Sequence, residues 1–287
     1  TMINSNTIQL HKEIFPFLNI SLYLNNIPLI RELTISNKGA GDYFGLELEL
    51  KSDIPCIETF RYLIVQVPAG KDIRIPVDAL KINRDYISQL SETEKAVLTI
   101  NVKQQDEILI SDTLTIDVHP LEYFGGFQVL PELIAAYVTP NHPYVYHIKR
   151  KAVEVLDRLR LKAAFDGYQQ NSPETVMQTM SAIYTAIQSE EIVYSSLPPG
   201  YEAAGQRLRL LNTLQQEQFG NCIDISLLFA ACLEAADLNP LLIITHGHAF
   251  VGCWLHDDKF AEVINDDKAA ITKRLSKGIR ELAAVEA

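Results

Sequence analysis

Apolar and polar positions alternate through the first part of the chain. Leu46, Leu48 and Leu50 interleave with Glu47 and Glu49, and the same two-residue period runs through 97–102 and 114–118. One apolar and one polar face is what an antiparallel sheet with one wet side requires. Further strands are expected at 20–24, 29–36, 62–67 and 107–110. Turn-forming stretches separate them: Asn25-Asn26, Asn37 to Gly41, Pro68-Ala69-Gly70 and Gln104-Gln105-Asp106. Short strands with regular turns predict an all-β, immunoglobulin-like sandwich over residues 1–120. Segment 85–93 reads as a short helix or an irregular connection. His11 and His119 stand alone and read as surface residues. Beyond His119-Pro120, Phe124-Gly125-Gly126-Phe127 reads as a linker or docking loop.

From there the period lengthens to about 3.6 residues. Pro131 opens a short helix to about 138, which Thr139-Pro140-Asn141-His142-Pro143 breaks. Pro143 suits the first turn of a helix over 143–161, and Ser172 caps another that runs to about 189. In the latter, Val176, Met177, Met180, Ile183, Tyr184 and Ile187 form one core-facing stripe. Pro198-Pro199-Gly200 forces an irregular segment. The run from Ile223 to Ala236 is apolar nearly all round, so the helix it forms is buried. After Asn239-Pro240 comes a β-like run, then a strand opening at His248. Residues 268–278 read as a helix closed by Gly278, and 279–286 as a last strand.

This pattern gives two residues a chemical setting. The turn Gly220-Asn221 places Cys222 at the start of the buried helix, where free N–H groups and the helix dipole favour a thiolate. His248 heads the strand that follows. A thiol at a helix start and an imidazole on a neighbouring strand form the core of a Cys-His hydrolase or acyl transferase. An acid that orients the imidazole would complete it. Asp257 and Asp258 lie past the strand's far end, roughly 30 Å from His248 at ~3.3 Å per residue. Antiparallel pairing of 279–286 with 248–255 instead sets Glu286 beside His248. Asp224 is expected to contact nearby backbone or a basic group. A competing reading puts His246 and His248 on one face of a strand, with Cys222, around a zinc ion. No second ligand pair stands at metal-like spacing, so no metal is expected.

Gly220-Asn221-Cys222, the following helix, and Gly247-His248-Ala249-Phe250 together resemble the transglutaminase-like (papain-like) superfamily. A closer resemblance, carried by 131–143 and Gly205-Gln206-Arg207-Leu208-Arg209, is to a bacterial subgroup in which this domain precedes a superfamily-1 helicase in large antiphage proteins. The resemblance implies an α+β transglutaminase-like domain over 121–287. It implies Cys222, His248 and Glu286 as the triad, although relatives more often carry Asp at the third position and a shorter connection between the strands. Gln206 and Gln216, in the lead-in to Cys222, become oxyanion candidates beside the Cys222 N–H. The substrate would be a protein or peptide, and no cofactor is implied. Catalytically inactive relatives kept as interaction scaffolds make the alternative.

Bulk properties narrow the setting. The 287 residues suit one large or two medium domains, and no apolar run reaches the roughly 18 residues a membrane span needs. A net charge of −11 argues against direct nucleic-acid binding. Lys149-Arg150-Lys151, with Arg158 and Arg160, reads as a solvated helix face. Four cysteines without a Cys-x-x-Cys pair suit a reduced, cytoplasmic protein, with Cys232 and Cys253 as buried hydrophobes. Thr1 ahead of Met2 resembles a cloning remnant. The stop one residue after Glu286 is what a segment cut from a longer parent, with helicase or nuclease domains C-terminal to it, would show.

Overall fold

A computed structural model describes residues 7–128, 130–162, 165–197 and 205–286. The expected Pro198-Pro199-Gly200 bend lies outside these described residues. The chain divides into two units, residues 1–125 and 126–287.

In the first unit, the alternating stretches form the middle of a five-stranded sheet. Its members are β2 (Phe17–Leu18), β4 (Tyr43–Ser52), β5 (Phe60–Val67), β7 (Glu94–Gln104) and β8 (Glu107–Val118), in the order β2-β8-β7-β4-β5. Pairing is antiparallel except between β2 and β8. A second sheet, β1-β3-β6, joins Ile8–Ile14, Ile30–Asn37 and Asp72–Arg74. Leu46, Leu48, Leu50, Leu98, Ile100 and Val102 on one sheet, and Leu33 and Ile35 on the other, are fully buried. Alternate positions sink into the core because successive side chains leave a strand on opposite faces.

One short stretch departs from the sequence expectation. Residues 20–24, expected as a strand, form helix α1 (Ile20–Leu24), because Asn19 caps it by accepting from the Ser21 N–H at 2.8 Å. Segment 85–93 takes the first of its two expected forms, a short helix: α2 (Arg84–Gln89) overlaps it, with Asn83 as its cap. The expected surface residue His119 is buried. Its ring stacks on Tyr123 (4.3 Å between centroids), lies 5.5 Å from Phe17, and bonds the Thr93 hydroxyl through Nδ1 at 2.9 Å. Burial lowers its pKa to about 4.

The second unit is built around one helix. A 3-10 turn (Pro131–Tyr137) leads to α3 (Pro143–Arg158) and α4 (Pro173–Gln188), which begin at the expected prolines and are capped by His142 and Ser172. Next come β10 (Val193–Tyr194), α5 (Leu211–Glu217), β12 (Phe219–Gly220) and α6 (Cys222–Glu234); β11 (Gln206–Arg207) is a two-residue strand, as is β9 (Tyr123–Phe124) at the end of the first unit. Every residue from Cys222 to Leu233 is buried. Leu228, Phe229, Cys232 and Leu233 share a core with Ile148, Ala152, Met180 and Ile183 of α3 and α4, and with Val251 and Cys253 of the sheet. That sheet, β13-β14-β15, joins Pro240–Thr245, His248–Trp254 and Leu282–Val285 in antiparallel order, with α7 (Lys268–Leu275) before its last strand. The basic stretch is less solvated than expected. Lys149 donates to the Ala235 carbonyl, and Lys151 pairs with Glu190 at 2.5 Å. No described helix is long and apolar enough to cross a membrane.

Candidate active site

The residues before Cys222 fix the start of α6. The Asn221 side-chain oxygen accepts from the N–H groups of Ile223 (3.0 Å) and Asp224 (3.1 Å). The Asp224 carboxylate returns the bond by accepting from the Asn221 N–H at 3.0 Å. This is a capping box, and it sets Cys222 in the first helical turn. Gly220 allows the approach: a Cβ there would sit 2.7 Å from Leu214 Cδ1 and 3.3 Å from Asp224 Cβ.

Asp224 is fully buried and carries the basic partner anticipated for it. Its oxygens accept from the Arg209 N–H (2.9 Å) and the Arg209 guanidinium (3.1 Å). Arg209 also pairs with Glu217 at 2.9 Å and lies over the Phe219 ring. Burial still pushes the Asp224 carboxyl up, with the Asn221 and Arg209 donors opposing it.

The hairpin β13–β14 delivers His248. Thr245 pairs with His248, so His246-Gly247 is a two-residue turn, with Gly247 at φ +74°. Glycine meets that dihedral without strain. His246 is therefore an exposed turn residue and not a second ring on the strand face. Among the described residues, no group of three or more His, Cys, Asp or Glu side chains could hold a metal ion.

Along β14, Ala249, Val251 and Cys253 are buried, and the latter two belong to the helix core. The Ala249 N–H lies within hydrogen-bonding reach of the Cys222 sulfur. His248, its neighbour, stacks near Phe250 with 6.0 Å between ring centroids. Strand β15 pairs Val285 with Val251, which carries Glu286 toward the start of β14. His248 Nε2 and Glu286 Oε1 are 3.3 Å apart, and the Glu286 side chain is 83% exposed. Asp257 is engaged elsewhere, on the Asn239 amide at 3.3 Å, beyond the other end of the strand. The same amide donates to the Asp258 carbonyl.

The glutamines separate. Gln206 is buried, its side-chain oxygen accepts from the Asn221 amide at 3.4 Å, and its buried Nε2 has no partner among the described residues. Gln216 is exposed on α5, and no described contact ties it to Cys222.

One neighbour of the thiol escapes sequence reasoning. Strand β10 runs parallel to β12, with Tyr194 opposite Gly220 and Ser195 N–H bonded to the Gly220 carbonyl at 2.7 Å. This register brings the Tyr194 hydroxyl within reach of the Cys222 sulfur, and Glu286 close enough to act on that hydroxyl. A two-residue strand carries no periodicity, so nothing in the sequence marks Tyr194.

The thiol itself departs from expectation. Cys222 is fully buried, and burial pushes its pKa up, although donors from Ala249, Tyr194 and Ile223 pull against it. A low-pKa thiolate was expected from the helix start; here desolvation outweighs that contribution. The other three cysteines are also buried and raised, Cys253 to about 12.

No family model and no curated protein matches this sequence. Among solved structures, one similar chain is a Parabacteroides distasonis ATCC 8503 protein whose crystal structure bears the name "putative protease". It is 10% identical, with a TM-score of 0.27, and the match covers 76% of this chain. The chain accordingly spans 42% of that protein's length.

Proposed function

We propose that residues 126–287 form a cysteine-dependent acyl-transfer domain, transglutaminase-like in its helix-then-hairpin order. Cys222 is the nucleophile, His248 the base and Glu286 the residue that orients it. The observation that carries this reading is the convergence at one end of the β13-β14-β15 sheet. The His248–Glu286 pair closes at 3.3 Å, and the residue next to His248 offers its N–H to the Cys222 sulfur. His248 takes the thiol proton as sulfur attacks a carboxamide or peptide carbonyl, and returns it to the leaving amine. Gln206 and the Cys222 N–H would hold the developing oxyanion. Water then releases the acyl group in a protease or deamidase, and an amine does so in a transglutaminase. The sequence resemblance supports a protein or peptide substrate, and a longer parent chain carrying helicase or nuclease domains.

One observation favours a second reading, a scaffold that has kept the fold without the chemistry: Cys222 has no exposed surface. Site-resolved alkylation with iodoacetamide at neutral pH separates the two. An enzyme labels at Cys222 at least about tenfold faster than at Cys56, Cys232 or Cys253, because in this reading His248 takes the proton of that thiol alone. Equal or slower labelling of Cys222 overturns the enzyme reading.

A further inference from the structure

The cap of α6 also controls the amide that would meet the oxyanion. Asn221 Oδ1 is committed to the helix, where it accepts from the N–H groups of Ile223 and Asp224. Only the Asn221 NH2 is left to face Gln206, so Gln206 must answer with its oxygen. An amide has one oxygen end and one NH2 end. Turning the oxygen of Gln206 to Asn221 therefore leaves Nε2 as the free end. That NH2 is buried without a partner among the described residues, an unfavourable state that an arriving negative oxygen would relieve.

A second tie holds the same segment from its other end. Three residues after Gln206, Arg209 is bonded to Asp224 through both its backbone N–H and its guanidinium. The strand carrying the donor and the helix carrying the sulfur are thus clamped at two points, Asn221 and Asp224.

We infer that Asn221 is a positioning residue: by spending its oxygen on the helix cap, it forces Gln206 to present its NH2 to the reacting carbonyl oxygen. This rests on the acyl-transfer reading above. Its test compares two reactions of one sulfur. With p-nitrophenyl acetate, the sulfur–carbon bond forms as the carbonyl electron pair moves to oxygen. That pair returns as p-nitrophenolate leaves, and the thiol proton passes to His248. With iodoacetamide, sulfur displaces iodide and no carbonyl oxyanion forms. The ratio of the two rates at Cys222 therefore reads the donor and cancels changes in the thiol.

Gln206→Ala should lower the ratio by 100-fold or more, the effect of losing one oxyanion donor. Asn221→Asp keeps a good cap but offers Gln206 only acceptors, so Gln206 reverses and the ratio should fall at least about tenfold. Asn221→Ser also caps but has no NH2, and should give a smaller fall. A ratio unchanged in Asn221→Asp, with near-ultraviolet circular dichroism like the parent's, overturns the inference while selective alkylation leaves the enzyme reading standing. Unselective alkylation of the parent protein removes both.

Discussion

His119 and Cys222 make the same point: for a buried group, desolvation shifts the pKa more strongly than the neighbours that oppose it. For His119 the consequence is measurable. Its pKa falls from 6.5 to about 4 on burial. Between those values the unfolded chain holds a proton that the folded ring refuses. The stability due to the neutral ring is therefore complete above about pH 6.5 and lost as pH falls toward 4, up to about 3 kcal/mol. Urea unfolding of His119→Gln should show a flatter pH dependence than the parent over this window; parallel curves would contradict the assignment. Sequence could not mark His119 as buried, since its partners Phe17, Tyr123 and Thr93 are assembled from separate segments. The places of Cys222 at the start of α6 and of His248 at the start of β14 were legible because each stands at the edge of a patterned element. Tyr194 stands in none.

At the scale of elements, α6 was readable from its unbroken apolar run and its Asn221 start, and β15 from the pairing it completes, though it is shorter than the 279–286 expected. The Asp224–Arg209 tie was legible only as an unnamed basic partner, because Arg209 stands fifteen positions earlier, on the far side of helix α5. Removing its cation leaves a carboxylate stranded in the core. Arg209→Ala should cost about 3 kcal/mol or more in chemical denaturation, a larger loss than Asp224→Asn, which removes the stranded charge itself. A small effect of Arg209→Ala would mean that the carboxyl is held neutral. Gly220→Ala meets Leu214 at 2.7 Å, and overpacking of that kind should cost about 1–3 kcal/mol. A melting temperature equal to the parent's would place slack where the structure has none.

For the molecule as a whole, charge is the most informative quantity. With 36 acidic against 25 basic residues, the net charge of −11 opposes attraction to a phosphate backbone. Fluorescence anisotropy with a labelled duplex at 150 mM salt, a concentration chosen to screen weak contacts, should detect no binding at micromolar protein. Saturable, salt-dependent binding would locate a basic surface that the sequence balance conceals. The central strands of the five-stranded sheet were visible through the two-residue period of β4, β7 and β8. The α1 segment was not, because its five residues are decided by the Asn19 cap and not by pattern.

The central claim is that a neighbouring imidazole deprotonates a buried thiol on demand. Its most direct test is the rate of Cys222 alkylation against pH in the parent and in His248→Ala. Loss of a general base should slow the variant about 100-fold at pH 7, with the gap closing at high pH as hydroxide takes over the deprotonation. Superimposable profiles would show that His248 does not serve Cys222, and the proposed chemistry would fall.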